Sequence, residues 1–194
     1  MKNKSLWITL GVVAVVLLIV VFWFIGSYNG FVTLSQNVDG KWSEVENQYQ
    51  RQADLIPNLV SVVSSSVKVE TQFVKDVTAA RTAYASANSQ LAKDTAGVQM
   101  TNGISALVSA VAENYPNLQA NKQYIALTDE LSGTQNRITV ARGSYIQSIQ
   151  LFNTAVKRFP ANIVAGMFGF SGKEYYQAKE GSMTTPSLGT GTLP

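Results

Sequence analysis

One short motif has the residue types and the spacing of a nucleophile with its base. Ser65 and Lys68 stand three residues apart, the S-x-x-K arrangement that carries the reactive serine of penicillin-recognising enzymes. The S-D-N and K-T-G motifs that accompany it in those enzymes do not occur in the sequence. The alternation of strand and helix patterns is missing as well. We therefore expect this pair to be a chance spacing of one helical turn and not a catalytic centre.

Acid–base and metal chemistry are also poorly supported. Carboxylates stand close together at Glu44 and Glu46 and at Asp129 and Glu130, but residues one or two apart do not face each other on a helix. The chain contains no His and no Cys. This removes the usual general base near neutral pH, the common transition-metal ligands and any disulfide. We predict no enzyme activity and no cofactor, with these carboxylates on solvated helix faces.

Polar residues inside the predicted helix seams have a structural interpretation. An arginine that pairs with a carboxylate on another helix can fix the register of the two helices. We predict that Arg51 or Arg137 pairs with Asp54 or Glu113. The polar positions concerned are Arg51, Asp54, Asn136, Arg137 and Arg142.

The element that these residues depend on begins at the N-terminus. Leu6 to Ile25 is a run of 20 residues, and every residue except Thr9 and Gly11 has an apolar side chain. As a helix it would be about 30 Å long, the thickness of the hydrocarbon core of a bilayer. Trp7 and Trp23 lie near its ends, where aromatic rings favour the membrane interfaces. We predict a single transmembrane anchor.

A cleaved signal peptide is the alternative interpretation of this run. Lys2 and Lys4 supply the basic start, but the run exceeds the usual apolar region of about 7–15 residues and no small-x-small cleavage site follows it. By the positive-inside rule the two lysines place the N-terminus in the cytoplasm, with only Lys41 within about 20 residues on the other side. The soluble domain is then expected to be extracytoplasmic.

The charge balance argues against nucleic acid as a partner. The chain has 15 basic and 12 acidic residues, and two of the basic residues are Lys2 and Lys4 beside the anchor. The remainder is close to neutral and shows no basic stripe. The expected partners are the lipid bilayer and either further copies of the chain or another membrane protein.

After the anchor, apolar residues recur at steps of three and four, which indicates amphipathic helices. The first stripe, Phe31 to Tyr49, predicts that the membrane helix runs on into the first soluble helix. That helix is predicted to end near Asp54-Leu55-Ile56-Pro57-Asn58 in a turn or a kink, because proline lacks a backbone donor. A binding loop is the alternative interpretation of this segment. Three further helices are predicted at 58–88, at 98–114 and from Tyr124 over about 36 residues to Phe159-Pro160. Residues 86–97 are predicted as a loop, and Tyr115-Pro116-Asn117 is predicted to stop the third helix.

These elements predict an all-α chain in three parts: an anchor at 1–27, an antiparallel up-and-down four-helix bundle at 28–172 and a flexible tail at 173–194. In such a bundle the apolar segment 161–170 returns to the membrane-proximal end. It then either covers the base of the bundle or touches the lipid interface. The residues concerned are Ile163, Met167, Phe168 and Phe170.

Several motifs, in this order after a membrane helix, resemble the LemA family. They cover nearly the whole chain to about Phe170. They are QYQRQADLIPNLV at 48–60, AR at 80–81, ENYPNLQAN at 113–121, LSGTQNRI at 131–138, AR at 141–142 and FP at 159–160. Gln52 and Gln135 depart from the family pattern, which has an arginine and an acid there; an ion pair between those groups would be weakened in this chain.

The resemblance implies a bacterial single-pass membrane protein whose four-helix bundle has a bromodomain-like topology, without a known enzyme activity or cofactor. It also implies that the structural motif residues Arg51, Asp54, Pro57, Asn58, Tyr115, Pro116, Asn136, Arg137 and Arg142 shape the bundle. The family is often described with its N-terminus outside, which makes a cytoplasmic bundle the alternative to the charge-based orientation. We expect an interaction or scaffold module at the cell membrane; a sensor or adaptor that relays a signal to a membrane partner is the second hypothesis.

Overall fold

The computed structural model describes residues 2–66 and 71–174, with side chains described for 7–65 and 72–174. All regular elements in these ranges are helical: α1 (Lys2–Ser66), α2 (Thr71–Ser86), α3 (Gln90–Asn114), a 3₁₀ turn (Leu118–Ala120), α4 (Lys122–Lys157) and α5 (Ala161–Met167). The all-α prediction is confirmed. The predicted tail, 173–194, lies outside the described residues from position 175 onwards.

The apolar segment and the first soluble stripe belong to one helix, as predicted. α1 runs for 65 residues from Lys2 to Ser66. The predicted turn at Asp54 to Asn58 is wrong, because Pro57 lies inside α1. The second predicted helix, 58–88, is therefore divided: its first part belongs to α1 and its last part is α2.

The third helix begins earlier than the sequence suggested. α3 starts at Gln90, so most of the predicted loop at 86–97 is helical. Ser89 caps this helix, because its hydroxyl accepts a hydrogen bond of 3.2 Å from the backbone N–H of Ala92. The predicted end is confirmed: α3 stops at Asn114, and Tyr115 is its C-cap. α4 also agrees with its predicted extent, from Lys122 to Lys157.

The chain divides into two compact units. Unit 1 contains Met1–Phe31 and Ile149–Pro194, and unit 2 contains Val32–Ser148. Unit 2 has a core of side chains from α1, α2, α3 and α4, placed at helical spacing along each of them. Its largest fully buried members are Val38, Val45, Tyr49, Gln52, Ile56, Leu59, Val63, Val77, Met100 and Leu107.

Unit 1 has a smaller core. The final turns of α4 bury Ile149, Phe152 and Val156, and α5 buries Val164 and Ala165. The apolar segment 161–170, whose structure the sequence left open, is thus mainly the short helix α5, and one face of that helix is covered.

Candidate functional site

The surface of unit 1 is dominated by the apolar part of α1. Every described large hydrophobic side chain from Trp7 to Phe22 is exposed, and Ile25 at the predicted end is exposed too. The most apolar stretch of α1 has a mean hydropathy of 3.1, and none of it is buried by other parts of the chain. A helix that is apolar on all sides and uncovered requires lipid around it. Among the described residues, α1 is the one helix long and apolar enough to cross a membrane, which is the pattern of a single-pass anchor.

Six aromatic rings pack at the end of this span. The ring of Phe168 lies 4.8 Å from that of Tyr28 and 5.6 Å from that of Phe24, measured between centroids. The ring of Phe170 lies 5.4 Å from Phe31 and 6.5 Å from Phe152. These tilted and edge contacts are the favoured geometries for aromatic pairs. They attach the segment after α5 to the last turn of the span.

A pair of hydrogen bonds secures the residues that follow. The side-chain amide of Asn153 donates to the carbonyl oxygen of Lys173 and accepts from its backbone N–H, both at 2.7 Å. The Lys173 ammonium lies 5.6 Å from the centre of the Phe152 ring, within the range of a cation–π contact. The buried amide of Asn153 therefore holds the segment 170–173 against α4.

The main polar cluster of unit 2 is buried. Asp94 of α3 accepts a 3.0 Å hydrogen bond from the hydroxyl of Tyr49 and lies 3.5 Å from the guanidinium of Arg142. Burial raises the pKa of Asp94 from 3.8 to about 6, an effect that exceeds the opposing influence of Arg142 and the Tyr49 hydroxyl. Burial and Asp94 also raise the pKa of Tyr49. The cluster connects α1, α3 and α4 at one level of the core.

Gly97 leaves the space that this cluster needs. A Cβ atom at Gly97 would lie 2.6 Å from two atoms of the Tyr49 ring. The ring itself is fully buried and packs against Tyr84, with 5.9 Å between centroids. The absence of a side chain at Gly97 therefore allows α3 to approach α1 closely.

A second set of polar contacts joins α1 to α2 and α3. Lys93 forms an ion pair with Glu46, and the hydroxyl of Tyr84 donates to the carbonyl oxygen of Glu46 at 3.2 Å. Burial and Glu46 raise the pKa of Tyr84 to about 12. Glu46 is thus partly buried and paired, whereas the sequence placed it on a solvated face.

The predicted arginine pairs have a different partner. Arg51 of α1 and Arg137 of α4 both contact the same carboxylate oxygen of Glu130, at 2.6 Å and 3.0 Å. The expected pairing with Asp54 or Glu113 is wrong. Asp54 is exposed and accepts a 2.9 Å hydrogen bond from Gln50, one turn earlier on α1. The register link between α1 and α4 exists, but Glu130 makes it.

Pro57 is accommodated within α1 by an arginine of α2. A residue other than proline at position 57 would donate its backbone N–H to the carbonyl of Ala53, four residues earlier. Here the Nε of Arg81 donates to that carbonyl at 3.0 Å. Ala53 is buried, so its carbonyl needs a hydrogen-bond donor from the protein. Arg81 supplies the donor that the helix lacks at Pro57. This bond explains why the chain passes through Pro57 without the predicted turn.

The other singled-out residues are not brought together. Asn58 is exposed on α1, and Pro116 is exposed between α3 and the 3₁₀ turn, where its carbonyl accepts from Gln119. Ser65 donates its hydroxyl to the carbonyl of Val62. Lys68, the other member of the S-x-x-K motif, lies outside the described residues.

Asn136 and Arg137 line an open groove between α1 and α4. The groove has a volume of about 440 Å³. The side chain of Val140 is 71% exposed there, and the Oε1 atom of Gln48 is buried without a hydrogen-bond donor from the described part of the chain. The lining residues are Glu44, Asn47, Gln48, Asn136, Arg137, Val140, Ala141 and Ser144.

Sequence reasoning missed Asp94, Gly97 and Glu130. Asp94 and Gly97 stood in a segment interpreted as a loop, and Glu130 was placed in solvent. A helical pattern from Asp94 through Ala96, Met100, Ile104 and Leu107 would have indicated the buried face of α3.

Comparison with known proteins gives a consistent family assignment. The profile of the LemA family matches residues 41–188. Magnetosome protein MamQ 2 of Paramagnetospirillum magneticum is 29% identical over 86% of this chain and 72% of its own length. Magnetosome protein MamQ of Magnetospirillum gryphiswaldense is 23% identical over the same shares. The matched region contains the buried cluster, the Glu130 pairs and the hydrogen bond from Arg81 to Ala53, and the chain belongs to the LemA family.

Proposed function

We propose that this protein is a membrane-anchored scaffold that holds a partner protein at the membrane through the α1–α4 groove, without enzyme activity. One observation supports it most: the fully apolar, uncovered span and a stripe of core residues are parts of the same helix, α1. A chain built in this way carries a membrane span and part of a packed helical core on one helix. The relatives named as magnetosome proteins suggest by analogy that the scaffold serves the organisation of a membrane compartment.

The finer architecture is part of the proposal. We infer that α1 to α4 form an antiparallel up-and-down bundle with a bromodomain-like topology. The polar clusters support this arrangement, because they join α1 to α3 and α4 through Asp94 and α1 to α4 through Glu130. Each pair fixes the register of helices that apolar packing alone would leave free to slide.

The groove has the composition of an interaction surface for a helix. Val140, which is exposed, and the buried Ala141 supply the apolar part of the lining, and Asn47, Gln48 and Asn136 supply amides around it. A partner helix with a small apolar residue against Val140 and polar side chains that pair with the flanking amides would fit this surface. An exposed valine among polar groups resembles the centre of a small protein interface.

Site-specific photo-crosslinking in native membranes tests the proposal. A photoreactive residue at Asn136 of the full chain is expected to give a discrete protein adduct after irradiation. Ser105, an exposed α3 residue that does not line the groove, is the matched control and is expected to give none. Mass spectrometry identifies the adduct: another protein supports a scaffold that holds a partner, whereas the chain itself would indicate self-association through the groove. Adducts at Ser105 but none at Asn136 would exclude the groove.

The side of the membrane needs its own measurement. The charge bias at Lys2 and Lys4 favours an extracytoplasmic bundle, with a cytoplasmic bundle as the alternative. The chain has no native Cys, so Asn88→Cys, in the loop between α2 and α3, provides a unique thiol. Labelling of intact cells by a membrane-impermeant maleimide is expected for an extracytoplasmic bundle. Labelling only after lysis would indicate a cytoplasmic bundle instead.

A further inference from the structure

The exposed face of α5 carries large apolar side chains, beside the polar Asn162. Val164 and Ala165 are buried, whereas Ile163 and Met167, one turn apart on the other face, are exposed. Phe159 just before the helix and Phe168 just after it are also exposed. We name these four side chains, Phe159, Ile163, Met167 and Phe168, the α5 surface. A short helix with large apolar groups on its outer face is costly to leave in water.

The α5 surface is continuous with the membrane span. Its member Phe168 packs on Phe24 and Tyr28 at the last turns of the apolar segment, with centroids 5.6 Å and 4.8 Å apart. The surface therefore begins where the span leaves the hydrocarbon core. The covering medium at that depth is the lipid interface, where aromatic rings are favoured.

The charges around the surface are basic. No acidic residue occurs between Glu130 and Glu174, and in the described part of unit 1 Glu174 is the only acidic residue. Lys157 and Arg158 immediately precede Phe159 and are exposed. Basic side chains beside apolar anchors are the composition of segments that bind anionic lipid surfaces.

Another protein is a poorer occupant of this surface. Another protein would have to reach a surface that is packed, through Phe168, against Phe24 and Tyr28 at the end of the span. Lipid already surrounds the span at that level, so the bilayer interface is the nearer occupant.

We infer that the α5 surface lies in the bilayer interface and that Lys157 and Arg158 contact the headgroups of anionic phospholipids there. The span and α5 then form two membrane contacts, a spanning one and an interfacial one. This inference depends on the membrane anchor and not on the α1–α4 groove, so failure of one leaves the other unaffected.

Spin labelling of the full chain in lipid vesicles tests the apolar contact. Met167→Cys carries a nitroxide at a site that is 68% exposed, and Leu91→Cys on α3, at 71%, is the matched control. For Met167 we expect more frequent collisions with oxygen, which concentrates in lipid, and several-fold fewer with a water-soluble nickel chelate than for Leu91. Ile163→Cys is the second variant, in case one substitution disturbs α5.

Two results would overturn the lipid contact. Equal access of the nickel chelate to Met167 and Leu91 would place the α5 surface in water. Shielding of Met167 from both oxygen and the chelate would show that protein covers it, and spin–spin broadening would then identify a second copy of the chain.

Vesicle composition tests the headgroup contact. In vesicles with about one third phosphatidylglycerol, the Met167 label is expected to be less accessible to the chelate than in pure phosphatidylcholine. Replacement of Lys157 and Arg158 by Gln is expected to abolish that difference, as is high salt, which screens surface charge. If phosphatidylglycerol does not change the accessibility of the Met167 label to the chelate, the contact with anionic headgroups is refuted. The apolar contact would not be affected by that result.

Discussion

The contact between Arg81 and the carbonyl of Ala53 should depend on the proline at position 57. With Pro57 in place, that buried carbonyl has no i→i+4 donor, and Arg81 donates to it at 3.0 Å. Arg81→Met keeps the apolar stem but leaves the acceptor unpaired, so we expect a loss of about 1–3 kcal/mol of stability. Pro57→Ala restores the backbone N–H and should stabilise α1, because proline is unfavourable inside a helix.

The two substitutions should not be additive. In the Pro57→Ala background the carbonyl keeps its helical donor, so removal of Arg81 should cost only about 0.5–1 kcal/mol. The expected coupling energy is therefore about 1 kcal/mol or more, above the roughly 0.3–0.5 kcal/mol scatter of independent sites. The assay is urea unfolding of the full chain in mild detergent, followed by circular dichroism.

The control for this cycle is an exposed cation on the same helix. Lys75 of α2 is exposed, and Lys75→Met should combine additively with Pro57→Ala. Additivity of Arg81→Met with Pro57→Ala would refute the reasoning, because it would mean that the guanidinium does not replace the missing backbone donor.

Three further predictions concern unit 2. Gly97→Ala should destabilise the chain by about 1–3 kcal/mol, because the added Cβ overpacks against Tyr49. Gly40→Ala is the control: its Cβ meets nothing within 4 Å, so it should stabilise α1 slightly. Equal effects of the two substitutions in urea unfolding would contradict the close approach of α3 to α1 at Gly97. Because the pKa of Asp94 is raised, the native state binds the proton of its carboxyl group more tightly than the unfolded state does. The stabilisation of the native state by this proton is complete below about pH 4 and is lost as the pH rises through about 6. Wild type should lose ~3 kcal/mol over that range relative to Asp94→Asn; parallel pH profiles of the two proteins would exclude the shift. Glu130→Gln, which removes the charge shared by two half-exposed arginines, should cost at most about 1 kcal/mol and become neutral in high salt; a salt-independent loss would contradict its ionic origin.

Features set by local composition were predictable from the sequence. The span from Leu6 to Ile25 needs only length and apolarity, and its continuation into a soluble helix follows from the uninterrupted pattern through Tyr49. The end of α3 at Asn114 was predictable for the same reason, since Pro116 acts on its immediate neighbours.

Features that depend on distant partners were not predictable. Pro57 was expected to end a helix because nothing near it in sequence pairs with the Ala53 carbonyl that it leaves free. The group that does so, the Arg81 guanidinium, belongs to another element. The polar segment that contains Asp94 was interpreted as a loop because nothing local shows that Tyr49 and Arg142 satisfy its carboxylate. Glu130 illustrates the same limit: spacing can indicate that Arg51 requires an acid, but the register of two helices decides which one.

The most direct test of the central claim separates the anchor from the bundle surface. Residues 6–22 are replaced by an unrelated transmembrane helix of equal length, which leaves Phe24 in place, and the photoreactive residue at Asn136 is kept. If the groove holds the partner and the span only anchors it, irradiation of native membranes should give the same adduct as with the natural span. Loss of that adduct in a chain that still fractionates with the membrane would contradict the account, because the recognition would then reside in the span itself.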